Sequence, residues 1–304
     1  MNSRIVFAIL FFAFLSLKSS SKVRIPPLKS HLSFQQYYHE QTCLYDPMVI
    51  ILVHGLLDSS NTFKDWSKYI YEDMNKLGLH PIVLGVDTPG HGHSPRQVSL
   101  DYISSAYKLE ETIIDVKNNL TDTKVDIHLV GHSTGGKLCA TLALQAPDLI
   151  KSVTFLDVMP VRFPESYWAP IRESINKIKD IPIETLNSAE EVHKYLSSVR
   201  MSVKLRKLLS LSTHTRTSLD TGQQQPNSGS GRDWNFDIKC IVSSLSAIQG
   251  FPDKNSLRAE QFTGKTLLVR ADPKKSQYVR NEVLASLCYD SHYSANTHLM
   301  QMQY

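Results

Sequence analysis

Apolar and polar positions alternate along this chain in blocks rather than residue by residue. Residues 49–53, 81–86, 127–130 and 153–156 are short runs dominated by β-branched and apolar side chains, and a fifth such run, 266–269, follows much later. Runs of four to six residues without polar alternation predict strands buried on both faces. Between them the apolar spacing lengthens to a helical period at 66–77, 100–119 and 137–146, the last stopped by Pro147. Parallel strands are joined only by crossovers, so strands and helices in strict alternation predict a mostly parallel sheet flanked by helices, an α/β fold.

From 160 to 251 the alternation stops. Residues 171–178, 189–199, 203–211 and 237–248 carry helical spacing with no strand between them, which predicts a helical cap inserted above the sheet. Within it, 213–232 (THTRTSLDTGQQQPNSGSGR) is too polar to bury an apolar surface and reads as a flexible loop. The expected organisation is a leader at 1–24, core at 45–159, cap at 160–251 with its loop at 213–232, and the rest of the core at 252–304.

The leader has its own pattern. Residues 5–17 (IVFAILFFAFLSL) are apolar behind Arg4, shorter than the roughly 20 residues a membrane span needs and matched to the hydrophobic stretch of a secretory signal. The Ser-rich, acid-free, basic continuation through Lys29 suits a mitochondrial presequence instead. A weak membrane association through this segment is expected.

Composition narrows the classes. With 304 residues, 41% apolar and 20% charged, the chain has globular composition. Its net charge of +4 comes entirely from the first 24 residues, where Arg4, Lys18, Lys22 and Arg24 stand without an acidic partner. The remaining body is neutral, which argues against nucleic acid as a partner. Cys43, Cys139, Cys240 and Cys288 form no C-x-x-C pair, so a zinc knuckle or thioredoxin-type motif is excluded. The glycosylation triplet Asn119-Leu120-Thr121 decides nothing about compartment.

The chemistry concentrates at three blocks, each directly after a strand. Gly131-His132-Ser133-Thr134-Gly135-Gly136 sits between the strand at 127–130 and the helix starting near 137. A G-x-S-x-G at a strand-to-helix turn is a nucleophile elbow: small flanking residues permit the bend, and the bend lifts the serine hydroxyl above a helix N-terminus that favours negative charge. His54-Gly55-Leu56-Leu57 follows the strand at 49–53. There the amide of Leu56 joins that of Thr134 as the two expected oxyanion donors, with His54 as a structural hydrogen-bonder. The third block, Asp87-Thr88-Pro89-Gly90-His91-Gly92-His93-Ser94-Pro95, lacks a third ligand at metal-like spacing and reads as a turn organiser.

In this order, LVHGLLDSSNTF, VDTPGHGHSP, LVGHSTGGK, FLDVMPV and LLVRADPKKSQYV resemble the α/β-hydrolase superfamily, and within it the branch of α/β-hydrolase domain-containing protein 11 and short bacterial esterases. The resemblance runs from about 49 to about 283. It implies a serine hydrolase acting on carboxylic esters of acyl or lipid type, a small-molecule ester as substrate, no cofactor and no metal. It also implies mitochondrial residence for animal members, so the compartment stays undecided between mitochondrion and the secretory pathway or ER.

A serine nucleophile needs a histidine held by a carboxylate. Asp157 follows the strand after the nucleophile's, where the bacterial relatives place their acid, and is favoured. Asp272 occupies the superfamily's commoner position and stays the alternative. The family's late Gly-His pair has no counterpart: after 287 the chain reads CYDSHYSANTHLMQMQY, leaving His292 and His298. A short strand at 297–302 would place His298 within it. The family's C-terminal strand and helix are therefore expected to be missing, with two consequences: the strand at 266–269 loses its edge partner, and Ser133 lacks its base. Within the cap, Phe163, Tyr167, Trp168 and Phe251 are candidates to line an acyl pocket.

Overall fold

Val49, Ile50, Ile51, Leu52 and Val53 are all buried, so this strand needs cover on both faces, and the fold supplies it. In the computed structural model, which describes residues 31–38, 48–79, 81–120, 124–215, 231–269, 293–294 and 297–303, β2 (Met48–Val53) lies inside an eight-stranded sheet. It pairs in parallel with β3 (Ile82–Val86) on one side and β4 (Asp126–His132) on the other. The parallel set continues through β5 (Ser152–Leu156) to β8 (Gln261–Val269).

Side-chain alternation divides the core in two. Val49, Ile51 and Val53 join a cluster with Ala106, Leu109 and Ile113 of α2 (Tyr102–Asn119) and with Leu138, Leu142 and Ala143 of α3 (Thr134–Gln145). Ile50 and Leu52 pack on the other face with Ile70 and Met74 of α1 (Lys64–Lys76).

Both sheet edges depart from the sequence reading. β1 (Phe34–Tyr38) runs antiparallel along β3; its sequence FQQYY has too little apolar alternation to reveal it. At the other edge, the expected loss of a partner for the 266–269 strand is corrected. β10 (Thr297–Gln303) pairs antiparallel with β8 and carries β9 (Tyr293–Ser294) on its outer side. Backbone groups of β8 that would otherwise stand open are thereby paired.

Between β5 and β8 the chain forms α4 (Glu165–Ile178), α5 (Ala189–Ser198), α6 (Val203–Leu211), α7 (Ile238–Ser243) and α8 (Leu245–Gln249). The helix expected over 237–248 is two, broken at Ser244. The polar loop is shorter than expected at both ends, because β6 (Thr213–Thr215) and β7 (Arg232–Trp234) form an antiparallel ribbon. This cap meets the carboxyl ends of the strands: the Gly92 N–H donates to the Asn235 carbonyl at 2.6 Å and the Asp237 N–H to that of Gly90 at 2.7 Å. The leader, residues 216–230, Asp272 and His292 lie outside the described residues.

Candidate active site

Ser133 is the single residue between the end of β4 and the start of α3, and it takes φ +52° and ψ −124°. A side chain at positive φ is sterically costly and persists only where its surroundings enforce it. Here the Ser133 N–H donates to the Leu156 carbonyl at 3.3 Å, and its own carbonyl accepts from Gly136 N–H at 2.9 Å and Lys137 N–H at 3.3 Å. The glycines make the bend fit. A Cβ on Gly135 would collide with the His54 carbonyl, and one on Gly136 with the Val158 side chain. Ser133 is half-buried, and among the described residues no side chain hydrogen-bonds its Oγ.

The loop after β2 crosses directly over this bend: a Cβ built on Gly55 would stand 3.2 Å from Ser133 Cβ and 3.1 Å from His132 Nδ1. Leu57, at φ +66°, donates its N–H to His91 Nε2 at 3.3 Å. The Leu56 and Thr134 amides have no hydrogen-bond acceptor among the described residues, and both residues line one cleft. Two unspent donors on residues that flank the serine bend are of the kind that can receive a developing oxyanion.

Two buried histidines hold that loop. His54 Nε2 accepts the Thr88 N–H at 3.0 Å, which requires a neutral ring whose Nδ1–H donates to the Gly55 carbonyl at 2.7 Å. His91 repeats the arrangement, accepting from Leu57 at Nε2 and donating from Nδ1 to the Pro89 carbonyl at 3.0 Å. Burial lowers the pKa of His54, and burial together with the neighbouring His54 lowers that of His91 to about 3. Both rings are therefore neutral at neutral pH, each with its single proton on Nδ1. Buried Asp87 organises the rest of the block, accepting the Ser60 N–H at 2.8 Å and the His93 N–H at 3.0 Å. No group of three or more His, Cys, Asp or Glu placed to hold a metal occurs among the described residues.

Asp157 follows β5 as Ser133 follows β4, at φ +54°, with its N–H donated to the Val269 carbonyl at 2.8 Å. Its charge reaches Tyr167, whose hydroxyl pKa is raised first by burial and then by this carboxylate. His298 lies within β10 opposite Leu268, one rung in from the end of β8. Asp272 and His292 fall outside the described residues, so the geometry weighs neither.

The cleft, about 390 Å³ including its open mouth, is lined by Leu56, His91, Tyr102, Thr134, Leu138 and Ile248 among others. Phe163, Tyr167, Trp168 and Phe251 are not among the residues lining this cleft. Phe163 stacks on Trp168 at 5.6 Å between ring centroids, and its ring lies 3.8 Å from the Nζ of Lys137.

Lys137 was not singled out from the sequence. Fully buried on α3, it donates to the carbonyls of Gln249 at 3.1 Å and Ile248 at 3.3 Å, joining the nucleophile helix to the cap. Burial, and secondarily Arg162, lowers its pKa to about 6. The available signal was a lone lysine inside the apolar run 135–144, GGKLCATLAL, where a solvent-facing side chain has no room.

A family model described as alpha/beta hydrolase fold matches residues 48–287. The mouse (Mus musculus) protein named sn-1-specific diacylglycerol lipase ABHD11 is 26% identical over 224 residues, covering 72% of this chain and 64% of its own length. A putative esterase/lipase of Haemophilus influenzae is 26% identical over 196 residues, covering 62% of this chain and 60% of its own. The chain thus spans less than two thirds of the length of these relatives. A solved marine microorganism esterase superposes with a TM-score of 0.57 at 22% identity, over 74% of this chain and 76% of that one, a likeness of fold. With a family model covering most of its length and a parallel sheet of matching architecture, this chain belongs to the α/β hydrolase fold family.

Proposed function

We propose that this protein is a serine hydrolase of carboxylic esters carrying acyl or lipid-type chains, acting through an acyl-enzyme on Ser133. The observation that carries the reading is the strained Ser133 at the bend that the Gly55 loop crosses, with the Leu56 and Thr134 amides unspent and both of those residues lining the neighbouring cleft. Relatives named as a lipase and an esterase support the ester class.

In this mechanism Ser133 Oγ bonds to the ester carbonyl carbon while its proton passes to a histidine nitrogen. The carbonyl electron pair moves onto oxygen, which rests between the Leu56 and Thr134 N–H groups; one such donor is worth about 3 kcal/mol. Collapse expels the alcohol, which takes the proton back from the histidine. Water then repeats the attack with the same base and frees the acid. Asp157 would orient that histidine, for which His292 and His298 are the candidates left after residue 287. The cap helices shape the acyl side of the cleft.

One observation favours a second reading, a hydrolase-fold ligand-binding protein: no described histidine reaches Ser133 Oγ, and His298 sits inside a ladder. A fluorophosphonate probe separates the two, because it reacts only with a serine activated by a base. The expected result is labelling of the full chain that Ser133→Ala abolishes, with loss in either His298→Ala or His292→Ala identifying the base. An unlabelled wild type would overturn the esterase reading in favour of the binding protein.

A further inference from the structure

The cap helix α6 divides its side chains sharply. Leu209 is 0% exposed, and Leu205 and Leu208 pack against the core. On the opposite side, Val203 is 58% and Leu211 80% exposed, with the exposed Lys204 and Lys207 beside them. At 3.6 residues per turn these four positions fall within about 100° of arc, so one outward face carries two apolar side chains and two lysines. Val199, at the end of α5, adds a further exposed apolar group.

Charge tells what such a face fits. From 199 to 219 the sequence (VRMSVKLRKLLSLSTHTRTSL) holds Arg200, Lys204, Arg206, Lys207 and Arg216 and no acidic residue, a local basic run in a body whose total charge is zero and whose remainder is net acidic. The carboxylates that precede this run are engaged on α5, where Glu190 lies 3.8 Å from Lys194 and Glu191 accepts the Asn187 N–H at 2.9 Å, and Asp220, directly after the run, lies outside the described residues. Exposed apolar side chains interleaved with unopposed lysines form an interfacial surface: the apolar groups enter the headgroup boundary and the lysines meet anionic lipid.

We infer that the outward face of α6 docks the cap on an anionic lipid bilayer, through Val203 and Leu211 as apolar anchors and Lys204 and Lys207 as headgroup contacts. At nine residues α6 is too short to cross a bilayer, so the contact it makes is peripheral. It does not rest on the ester-hydrolase reading, since it uses no residue of that site.

The test is co-sedimentation of the full chain with phosphatidylcholine vesicles and with vesicles in which part of that lipid is replaced by phosphatidylserine. Wild type is expected to partition at least tenfold more strongly to the anionic vesicles, and less so at high salt. Each basic side chain at such a surface is worth about fivefold, so Lys204→Glu with Lys207→Glu should lose at least tenfold. Val203→Ser with Leu211→Ser should weaken binding to the anionic vesicles further, through the apolar share. The leader is present in every protein compared and cancels. Circular dichroism and fluorophosphonate labelling of each variant at the wild-type level separate a docking defect from unfolding. Equal binding of the charge-reversed variant and wild type, or no preference for phosphatidylserine, would overturn the inference. So would self-association or an acidic protein partner lost on charge reversal while vesicle binding stays intact.

Discussion

Ser133 and Asp157 occupy equivalent places at the ends of neighbouring parallel strands, each the first residue beyond its strand and each at positive φ, +52° and +54°. They are tied through one bond, the Ser133 N–H to the carbonyl of Leu156, the residue before Asp157. Two non-glycine residues in costly conformations, side by side at the carboxyl edge of an open parallel sheet, mark where this fold stores strain. That edge is also where ligands bind in such sheets.

Strain at Ser133 has a measurable consequence. Ser133→Gly relieves it and is expected to raise stability by about 1 kcal/mol while abolishing fluorophosphonate labelling. Ser133→Ala also abolishes labelling but keeps a Cβ at the same φ, so its melting temperature should stay at the wild-type value. Equal melting temperatures for the glycine and alanine variants would show that the bend costs nothing.

For the acid, Asp157→Asn should lower kcat on a soluble ester by about 10⁴-fold, the loss expected when a triad carboxylate can no longer orient its histidine. Asp272→Asn should leave kcat within severalfold of wild type. The reverse pattern would move the acid to the later position, and comparing the two variants on one substrate decides it.

His91 links the oxyanion loop to acid stability. Folding lowers its pKa from 6.5 to about 3, so between those values the unfolded chain holds a proton that the folded chain does not. Stability therefore falls as pH drops from 6.5 toward 3. His91→Gln can still accept from Leu57 and donate to Pro89 without titrating. Urea unfolding between pH 6 and 4 should then show a slope shallower by about 1.4 kcal/mol per pH unit. An unchanged slope would mean the ring is not the group that resists protonation.

The parallel strands were legible because each is an unbroken apolar run, and the elbow because its glycines bracket Ser133 in a pattern that steric crowding demands. What stayed hidden depends on partners distant in sequence. β1 is held by backbone pairing with β3, which FQQYY does not advertise. Strand β10 closes on β8 although its sequence departs from the family's. The structural roles of His54 and His91 were legible, but their tautomers are set by amides 34 residues away, Thr88 for one and Leu57 for the other, which sequence spacing does not reveal. The buried Lys137 is hidden for a related reason: its depth against the Phe163 ring is revealed only by the packed structure.

Lys137 joins α3, which begins beside Ser133, to α8 and through it to Ile248 on the cleft wall. Its two carbonyl acceptors and the Phe163 face hold the amine, while burial opposes the charge and brings its pKa from 10.5 to about 6. Across that range the unfolded chain binds the extra proton, so stability contributed at this site is present above pH 10.5 and is lost as pH falls toward 6. Lys137→Met keeps the volume and the apolar stem but never charges, and it leaves the two carbonyls without this donor. Relative to wild type it is expected to be less stable at pH 10, by about 1–3 kcal/mol, and to close or reverse that gap at pH 6.5. Thermal unfolding of both proteins across this interval is the measurement. A gap independent of pH would show that the amine keeps its ordinary pKa inside the protein, and that its carbonyl and ring partners fully compensate the loss of water.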